Sequence, residues 1–349
     1  MRGLRSSQRR RDGSVAVAVG LAVLAGVLSG PVAAQGSATH ILVITGLGGE
    51  PSYAARMQEW ATKIVDAAGE RFGVPRENIQ WLAEKKEIDP ARVTDRSTKE
   101  SIEAAIGGIA GRANAGDVVL IVLFGHGSYQ SGESRLSLPG PDLTAQDFAV
   151  QLGRLSEQKV VFANTASASG EFIEVMSGPG RVIVTATRSG TERNATQFGE
   201  YFSDAFANDV ADTDKDGGVS VLEAFTYART ETNRYYETEK KLPTEHAVLD
   251  DNGDKTGTSE ANSEGGDGAL AQATFIGQAA VVAGQAPPEG ASPALLALYA
   301  QRKEIEDRLT ALRARKDTMG AAEYEKQLEA LLVELALKNQ EIRRMEGGR

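Results

Sequence analysis

The stretch VVLIVLFGHGS, residues 118–128, decides the fold. It opens with seven consecutive apolar residues, which is the pattern of a strand buried on both faces of a sheet. Short apolar runs of the same kind occur at 40–45, 79–82, 160–162 and 182–184, and stretches with helical spacing separate them. Because strands that alternate with helices form mostly parallel sheets, the sequence predicts an α/β domain whose sheet is flanked by helices.

Two of these strands end in residues that can carry out chemistry. Glycines flank His126 after the first, and the small residues TASASG, at 165–170, follow the strand at 160–162. The carboxyl ends of parallel strands share one edge of the sheet, where ligands bind. His126 and a hydroxyl of this loop can therefore form a nucleophile–base pair. The alternative is a loop of small residues that serves only close backbone packing.

At these residues the chain resembles the caspase-like fold and, within it, the legumain-type (C13) cysteine peptidases. The resemblance lies in an apolar strand that ends in His-Gly-Ser, a helix at 143–155, a strand that runs into Ser169-Gly170, and a Thr-Ala pair within 181–206. We interpret residues 38–254 as one caspase-like domain. The resemblance implies that His126 is the position of the catalytic base.

The catalytic cysteine of that family has no counterpart, because the chain contains no cysteine. Alignment on Ser169-Gly170 places Ser167 at that position, whereas alignment on residues 164–165 places Ala166 there; we favour Ser167. A hydroxyl is a much weaker acid than a thiol, whose pKa is about 8.5, and it needs a base aligned by a third group. The sequence therefore predicts a protein that has lost its nucleophile.

The stretch DTDKDGGVSVLE, residues 212–223, has the spacing of an EF-hand-like calcium loop. Such a loop places oxygen ligands at alternating positions, turns sharply at a glycine and ends on a glutamate, so that its oxygens converge on one ion. The alternative is an acidic, solvated turn. The sequence predicts Ca²⁺ as the bound ion, with Asp212, Asp214, Asp216, the carbonyl of Gly218, Ser220 and Glu223 as ligands.

Residues 1–34 have the pattern of a secretory signal peptide: a run of arginines, an apolar stretch and small residues before the expected cut. We expect an exported protein, periplasmic or secreted, that keeps no stable membrane anchor after cleavage. The alternative is an uncleaved N-terminal anchor. The formal net charge of −10 becomes more negative when this arginine-rich leader is removed. Because such a charge repels nucleic acid, we expect no nucleic-acid partner.

The composition changes twice after the main domain. Residues 255–292 are rich in Gly, Ala, Ser and Pro and predict a flexible linker, with one strand or edge segment near residues 271–276 as an alternative to a fully flexible chain. Residues 293–347 carry apolar residues at intervals of three, four and seven and predict a helical, coiled-coil hairpin. We expect this hairpin to dock on the main domain or on another copy of the chain, so self-association through it is a further expectation.

Two local predictions complete this interpretation. Ser97, with Glu100 three residues later, predicts a capping box at the start of a helix. The acidic residues 250–254 lack the glycine and the final glutamate of a calcium loop and predict an exposed turn.

Together these features predict an exported, legumain-like pseudoenzyme that acts as a calcium-binding interaction or scaffold module with a protein or peptide partner. The alternative is a peptidase or other hydrolase that uses Ser167 as nucleophile with His126 as general base. The sequence leaves the choice between these two functions open.

Overall fold

The computed structural model describes residues 37–214, 218–276, 287, 291–313 and 319–346. The predicted signal peptide, residues 1–34, lies outside the described residues, as does Asp216 of the predicted calcium loop. From Ser37 onward the chain forms one compact unit. None of the described helices combines the length and the apolar character that a membrane span requires.

Within the part of the chain that the structure describes, ten strands form two sheets. The seven-stranded sheet has the order β10-β9-β8-β4-β1-β2-β3, and all its pairs are parallel except β9 with β10. A three-stranded antiparallel sheet has the order β5-β6-β7. The strands are β1 (Thr39–Thr45), β2 (Ile79–Ala83), β3 (Asp95–Arg96), β4 (Val118–Phe124), β5 (Gly127–Gln130), β6 (Glu133–Leu136), β7 (Leu143–Thr144), β8 (Lys159–Asn164), β9 (Arg181–Thr185) and β10 (Val248–Asp250).

Nine helices connect or follow these strands in the described residues, and short 3₁₀ turns occur at Arg76–Asn78, Lys86–Ile88 and Asp209–Ala211. The helices are α1 (Pro51–Glu70), α2 (Lys99–Arg112), α3 (Ala145–Leu152), α4 (Phe172–Met176), α5 (Phe198–Ala207), α6 (Val221–Thr238), α7 (Ala269–Gln272), α8 (Pro293–Arg313) and α9 (Ala321–Glu346).

The seven-stranded sheet separates two hydrophobic cores. Alternate side chains of β4 enter opposite cores, and every residue of this strand is buried. Helices α1, α5 and α6 cover one face with side chains such as Trp60, Phe202 and Phe225. Helices α2, α3 and α4 cover the other face with Ile106, Phe148 and others. The predicted α/β class, with a mostly parallel sheet flanked by helices, is confirmed.

The start of α2 differs from the sequence prediction. Its N-cap is Thr98, whose side chain accepts a hydrogen bond from the backbone N–H of Ser101. The Ser97 hydroxyl instead donates to the buried carbonyl of Thr45 at 2.7 Å. The predicted capping box of Ser97 with Glu100 is therefore wrong, because a tertiary hydrogen bond engages the Ser97 side chain.

The structure also differs from the prediction between residues 250 and 276. Asp250 and Asp251 are buried, not part of an exposed turn. The Asp251 carboxylate accepts hydrogen bonds from the N–H groups of Gly268 and Ala271, at 2.8 and 2.7 Å. The first part of the predicted linker, up to Ile276, thus packs against the domain around a buried carboxylate, and the rest lies largely outside the described residues.

Helices α8 and α9 form an antiparallel pair with cores of their own. One contains Ile305, Leu309, Leu331 and Leu335, and the other joins Leu295 and Tyr299 to Ile342. The two helices lie within residues 293–347, the segment for which a helical hairpin is predicted.

Candidate functional site

The two strand ends singled out in the sequence are neighbours in the structure. Strand β4 pairs directly with β8, with Leu123 opposite Asn164, so His126 and Ser167 follow adjacent strands. The Gly127 N–H donates to Ser167 Oγ at 3.1 Å, and the Ser167 hydroxyl lies 3.3 Å from the Gly127 carbonyl, to which it donates. Ser167 is 3% exposed. Its hydroxyl is therefore held by the main chain beside the histidine.

The imidazole of His126 is oriented by a carbonyl group. Its Nε2 lies 3.2 Å from the carbonyl oxygen of Gly48, which can only accept, so Nε2 carries the proton. The ring of Tyr53 meets the imidazole edge-on, with 5.1 Å between the ring centroids. Among the described residues no carboxylate hydrogen-bonds to this ring, and no hydrogen bond joins His126 to Ser167.

The backbone N–H groups after Ser167 already have acceptors. Those of Ser169 and Gly170 donate to Thr187 Oγ1 at 2.8 and 3.1 Å. The N–H of Ala168 donates to the carbonyl of Glu192 at 2.7 Å. These amides hold the loop against the segment after β9, so they are not available to stabilise an oxyanion in this conformation.

The loop has an unusual backbone shape. Ala168 is buried and has a φ of 52°, in the left-handed region that residues with a Cβ seldom adopt. A Cβ added to Gly170 would lie 2.2 Å from the backbone nitrogen of Ser189, so only glycine fits there. Such strain persists only where surrounding contacts fix the conformation, and here the bonds to Thr187 and Glu192 do so.

The predicted calcium loop brings three of its carboxylates together. Oxygens of Asp212, Asp214 and Glu223 lie within 4.8 Å of one another. The carboxylate of Glu223 accepts hydrogen bonds from the N–H and hydroxyl of Thr213 on one oxygen and from those of Ser220 on the other, each at 2.9 Å. These residues fit a hard cation, because oxygen donors converge and the glutamate oxygens face the loop.

Ser220 and Glu223 also form a capping box at the start of α6. Ser220 forms an antiparallel bridge with Phe275, and the Val221 N–H donates to the carbonyl of Thr274 at 2.9 Å. The exit of the loop is thereby fixed to the segment that ends at Ile276. Gly218 is described, whereas Asp216 is not, so the structure tests only part of the predicted ligand set.

The titratable side chains of Glu245 and His246 lie outside the predicted set of site residues. Nδ1 of His246 lies 2.6 Å from the carboxylate of Glu192, the residue whose carbonyl accepts from Ala168. Glu245 is 2% exposed and accepts hydrogen bonds from Tyr236 and from the N–H groups of Gln197 and Phe198 at the start of α5. Burial raises the pKa of Glu245. The sequence contains no signal for these pairings, because they join distant segments.

The central part of the sequence matches a known family. Residues 99–248 match the sequence model of the Peptidase C13 family. The match spans β4, both strand ends and α5, so the resemblance to legumain-type peptidases is confirmed over this part of the chain. The absence of cysteine is consistent with loss of the catalytic thiol. No curated protein matches the sequence.

Solved structures were found that resemble the chain at low identity. One is the crystal structure of protein GSU0716 from Geobacter sulfurreducens, 12% identical, with a TM-score of 0.40 over 61% of this chain and 92% of that chain. Another is the Drosophila initiator caspase Dronc, 9% identical, with a TM-score of 0.38 over 63% of this chain and 81% of that chain.

Proposed function

We propose that this chain is an exported, calcium-binding protein with a peptidase C13-like domain that binds a protein or peptide partner and does not cleave it. The position of the Ser167 hydroxyl carries the proposal. The chain has no thiol, and this hydroxyl hydrogen-bonds to both main-chain groups of Gly127 and not to His126.

The contacts of Ser167 oppose nucleophilic catalysis. Attack on a carbonyl requires a base that removes the serine proton, but the hydroxyl directs this proton to the Gly127 carbonyl. The uncharged carbonyl group of Gly48 orients His126. This carbonyl stabilises a developing imidazolium less than a carboxylate would. A productive serine would have to break both of its hydrogen bonds and then work without a charged third group.

The hydrolase alternative also has an observation in its favour. Because Nε2 of His126 donates to Gly48, the Nδ1 atom is the basic nitrogen of this ring. A nucleophile–base pair would require the Ser167 hydroxyl to leave both of its hydrogen bonds with Gly127 and to reach that atom. The two functions therefore differ in a measurable property, which is turnover that depends on both side chains.

The deciding experiment measures cleavage of a peptide library by the protein in the presence of Ca²⁺, together with labelling by a serine-directed probe. We expect no turnover and no labelled Ser167. The Ser167→Ala and His126→Ala variants are compared with Ser189→Ala, which removes a hydroxyl from the neighbouring loop. Turnover that is lost in the first two variants and kept in the third would overturn the non-catalytic function.

Calcium binding is supported by the convergence of Asp212, Asp214 and Glu223. A bound ion would compete with Thr213 for the glutamate oxygen that now accepts its two hydrogen bonds. Calorimetry should therefore detect calcium uptake by the wild-type protein and a large loss of affinity in Glu223→Gln. The matched control is Glu237→Gln, an exposed glutamate on the same helix. Equal binding by wild type and Glu223→Gln would refute the ligand assignment.

Export is supported by the leader pattern in residues 1–34. Expression in a bacterial host with a periplasm should yield a processed protein outside the cytoplasm, and amino-terminal sequencing should place its first residue after Ala34. A protein that remains in the cytoplasm with residues 1–34 attached would contradict export.

A further inference from the structure

The loop that carries Ser167, residues 165–170, is closed to solvent in this conformation. Ser167, Ala168 and Ser169 are each no more than 3% exposed. A partner can touch the side chains of these residues only after the loop moves outward. The contacts that fasten the loop therefore control access to the site that the proposed function assigns to a partner.

The backbone of Ala168 destabilises the closed loop. Its φ of 52° lies in the left-handed region, which costs free energy for a residue that has a Cβ. A strained conformation of this kind persists only while its surroundings hold it in place. The N–H of Ala168 donates to the carbonyl of Glu192 at 2.7 Å, so the position of this carbonyl helps to keep the loop closed.

The side chain of Glu192 connects this carbonyl to the segment that precedes β10. One of its carboxylate oxygens lies 2.6 Å from Nδ1 of His246. The other oxygen accepts hydrogen bonds from the backbone N–H groups of His246 and Arg188, at 3.2 and 3.1 Å. Because a carboxylate can only accept, Nδ1 of His246 carries the proton and donates it. Glu192 therefore joins the loop at Ala168 to His246 through one residue.

The contact between Glu192 and His246 is more exposed than two other contacts that hold this region. The side chain of His246 is 38% exposed and that of Glu192 is 13% exposed. Thr187, which accepts from two N–H groups of the loop, is fully buried. Glu245, which binds the start of α5, is also buried. Hydrogen bonds that water can reach open more readily than those in the core, so opening begins at Glu192 and His246.

We infer that the contact between Glu192 and His246 is a latch that keeps the loop at 165–170 closed, and that a partner of this site binds the open form. Release of His246 frees the side chain of Glu192, and the carbonyl that holds Ala168 then loses its anchor. The population of the open form limits the apparent affinity for such a partner. Closure of the loop can be measured without a partner, whereas its role in partner binding rests on the proposed function.

Hydrogen exchange, followed by mass spectrometry of peptides that contain residues 165–170, measures the opening of the loop. We expect Glu192→Ala and His246→Ala each to speed exchange of the loop amides about fivefold, because each removes the latch. The double variant should exchange no faster than either single variant, since both substitutions remove one and the same contact. His246→Asn should keep the slow exchange, because its side-chain amide can donate in place of Nδ1–H.

Two controls separate the latch from other effects. Thr191→Ala removes an exposed hydroxyl next to Glu192 and should leave exchange of the loop unchanged. Thr98→Ala weakens the cap of α2 and should also leave it unchanged, because the loop opens locally and not through global unfolding.

Three results would overturn the latch. These are unchanged exchange in Glu192→Ala and His246→Ala, fast exchange in His246→Asn, and an equal acceleration by Thr98→Ala. Peptide cleavage by the wild-type protein would overturn the non-catalytic function and would leave the exchange result in force. The two proposals therefore fail on different measurements.

Discussion

Replacement of Gly127 by alanine tests whether the two strand ends are held as close together as the structure indicates. A Cβ at this position would lie 2.1 Å from the carbonyl oxygen of Ser167 and 3.0 Å from that of Arg135. Both contacts are with main-chain atoms, so no side-chain rotation can relieve them. The loop that carries Ser167 would have to move by about 0.9 Å to lengthen the first contact to 3.0 Å.

The expected loss of stability is the sum of two effects. Insertion of a methyl group into a tightly packed site costs about 1–3 kcal/mol through backbone displacement. The same displacement breaks the two hydrogen bonds between the Ser167 hydroxyl and Gly127, each of which contributes about 1 kcal/mol. We therefore expect Gly127→Ala to lower the free energy of unfolding by about 3–5 kcal/mol, a large part of the stability of an ordinary domain.

Urea denaturation, monitored by circular dichroism, measures this change. The matched control is Gly111→Ala near the end of α2, where a Cβ would meet nothing within 4 Å and where alanine should stabilise the helix by up to about 1 kcal/mol. A change of less than about 1 kcal/mol in Gly127→Ala would mean that neither the backbone displacement nor the loss of the two hydrogen bonds occurs. Gly127 and Ser167 would then not lie as close together as described.

Three further predictions concern groups outside the Ser167 loop. Thr98→Ala should lower the free energy of unfolding by about 1 kcal/mol, whereas Glu100→Ala should lower it by less than about 0.5 kcal/mol. Equal losses in the two variants would show that Thr98 does not cap α2. Asp251→Ala should lower the free energy of unfolding by about 1–3 kcal/mol and accelerate limited proteolysis within residues 255–276, whereas Glu264→Ala should do neither. An unchanged rate of cleavage in Asp251→Ala would show that this carboxylate does not hold the segment in place. Burial raises the pKa of Glu245 from its ordinary 4.5, so its stabilising contribution is complete below that value and is lost as pH rises through the raised pKa. Above pH 4.5 the free energy of unfolding should therefore fall less steeply with pH in Glu245→Gln than in the wild type. The same slope in both proteins would refute a raised pKa of Glu245.

The parts of the fold that sequence could predict depend on periodicity. The seven consecutive apolar residues of β4 indicate burial on both faces of the strand. Burial of this kind is typical of parallel sheets that are covered by helices on both sides. The three-stranded sheet β5-β6-β7 was not predicted, because its strands have two to four residues and only partial alternation of buried positions. Such strands form where tertiary packing favours them rather than through a local pattern.

Polar side chains that act over long distances in the sequence account for the other differences. Ser97 has the residue type and position of a cap, but the carbonyl of Thr45 engages its hydroxyl. Residues 255–276 have the composition of a linker, yet the buried carboxylate of Asp251 orders them through backbone N–H groups. Composition describes an average tendency, whereas each of these contacts depends on one group that folding brings into place.

For Ser167, the sequence predicts the position of the residue but not the direction of its hydroxyl. Adjacent strand ends follow from the order of apolar runs, so the proximity of Ser167 to the His-Gly turn was predictable. The direction of its hydroxyl could not be predicted, because it depends on hydrogen bonds with the N–H and carbonyl groups of Gly127. The direction of the Ser167 hydroxyl decides between a binding site and a reactive site.

A polypeptide that lacks sulfhydryl groups offers a chemical opportunity at this loop. The bonds from Ala168, Ser169 and Gly170 to their acceptors do not involve the side chain at 167, so a sulfur atom introduced there should occupy the place of the oxygen. A Ser167→Cys variant would then carry a unique thiol in the whole molecule. The pH dependence of its alkylation would report the local electrostatic potential beside the imidazole, without interference from any other reactive group.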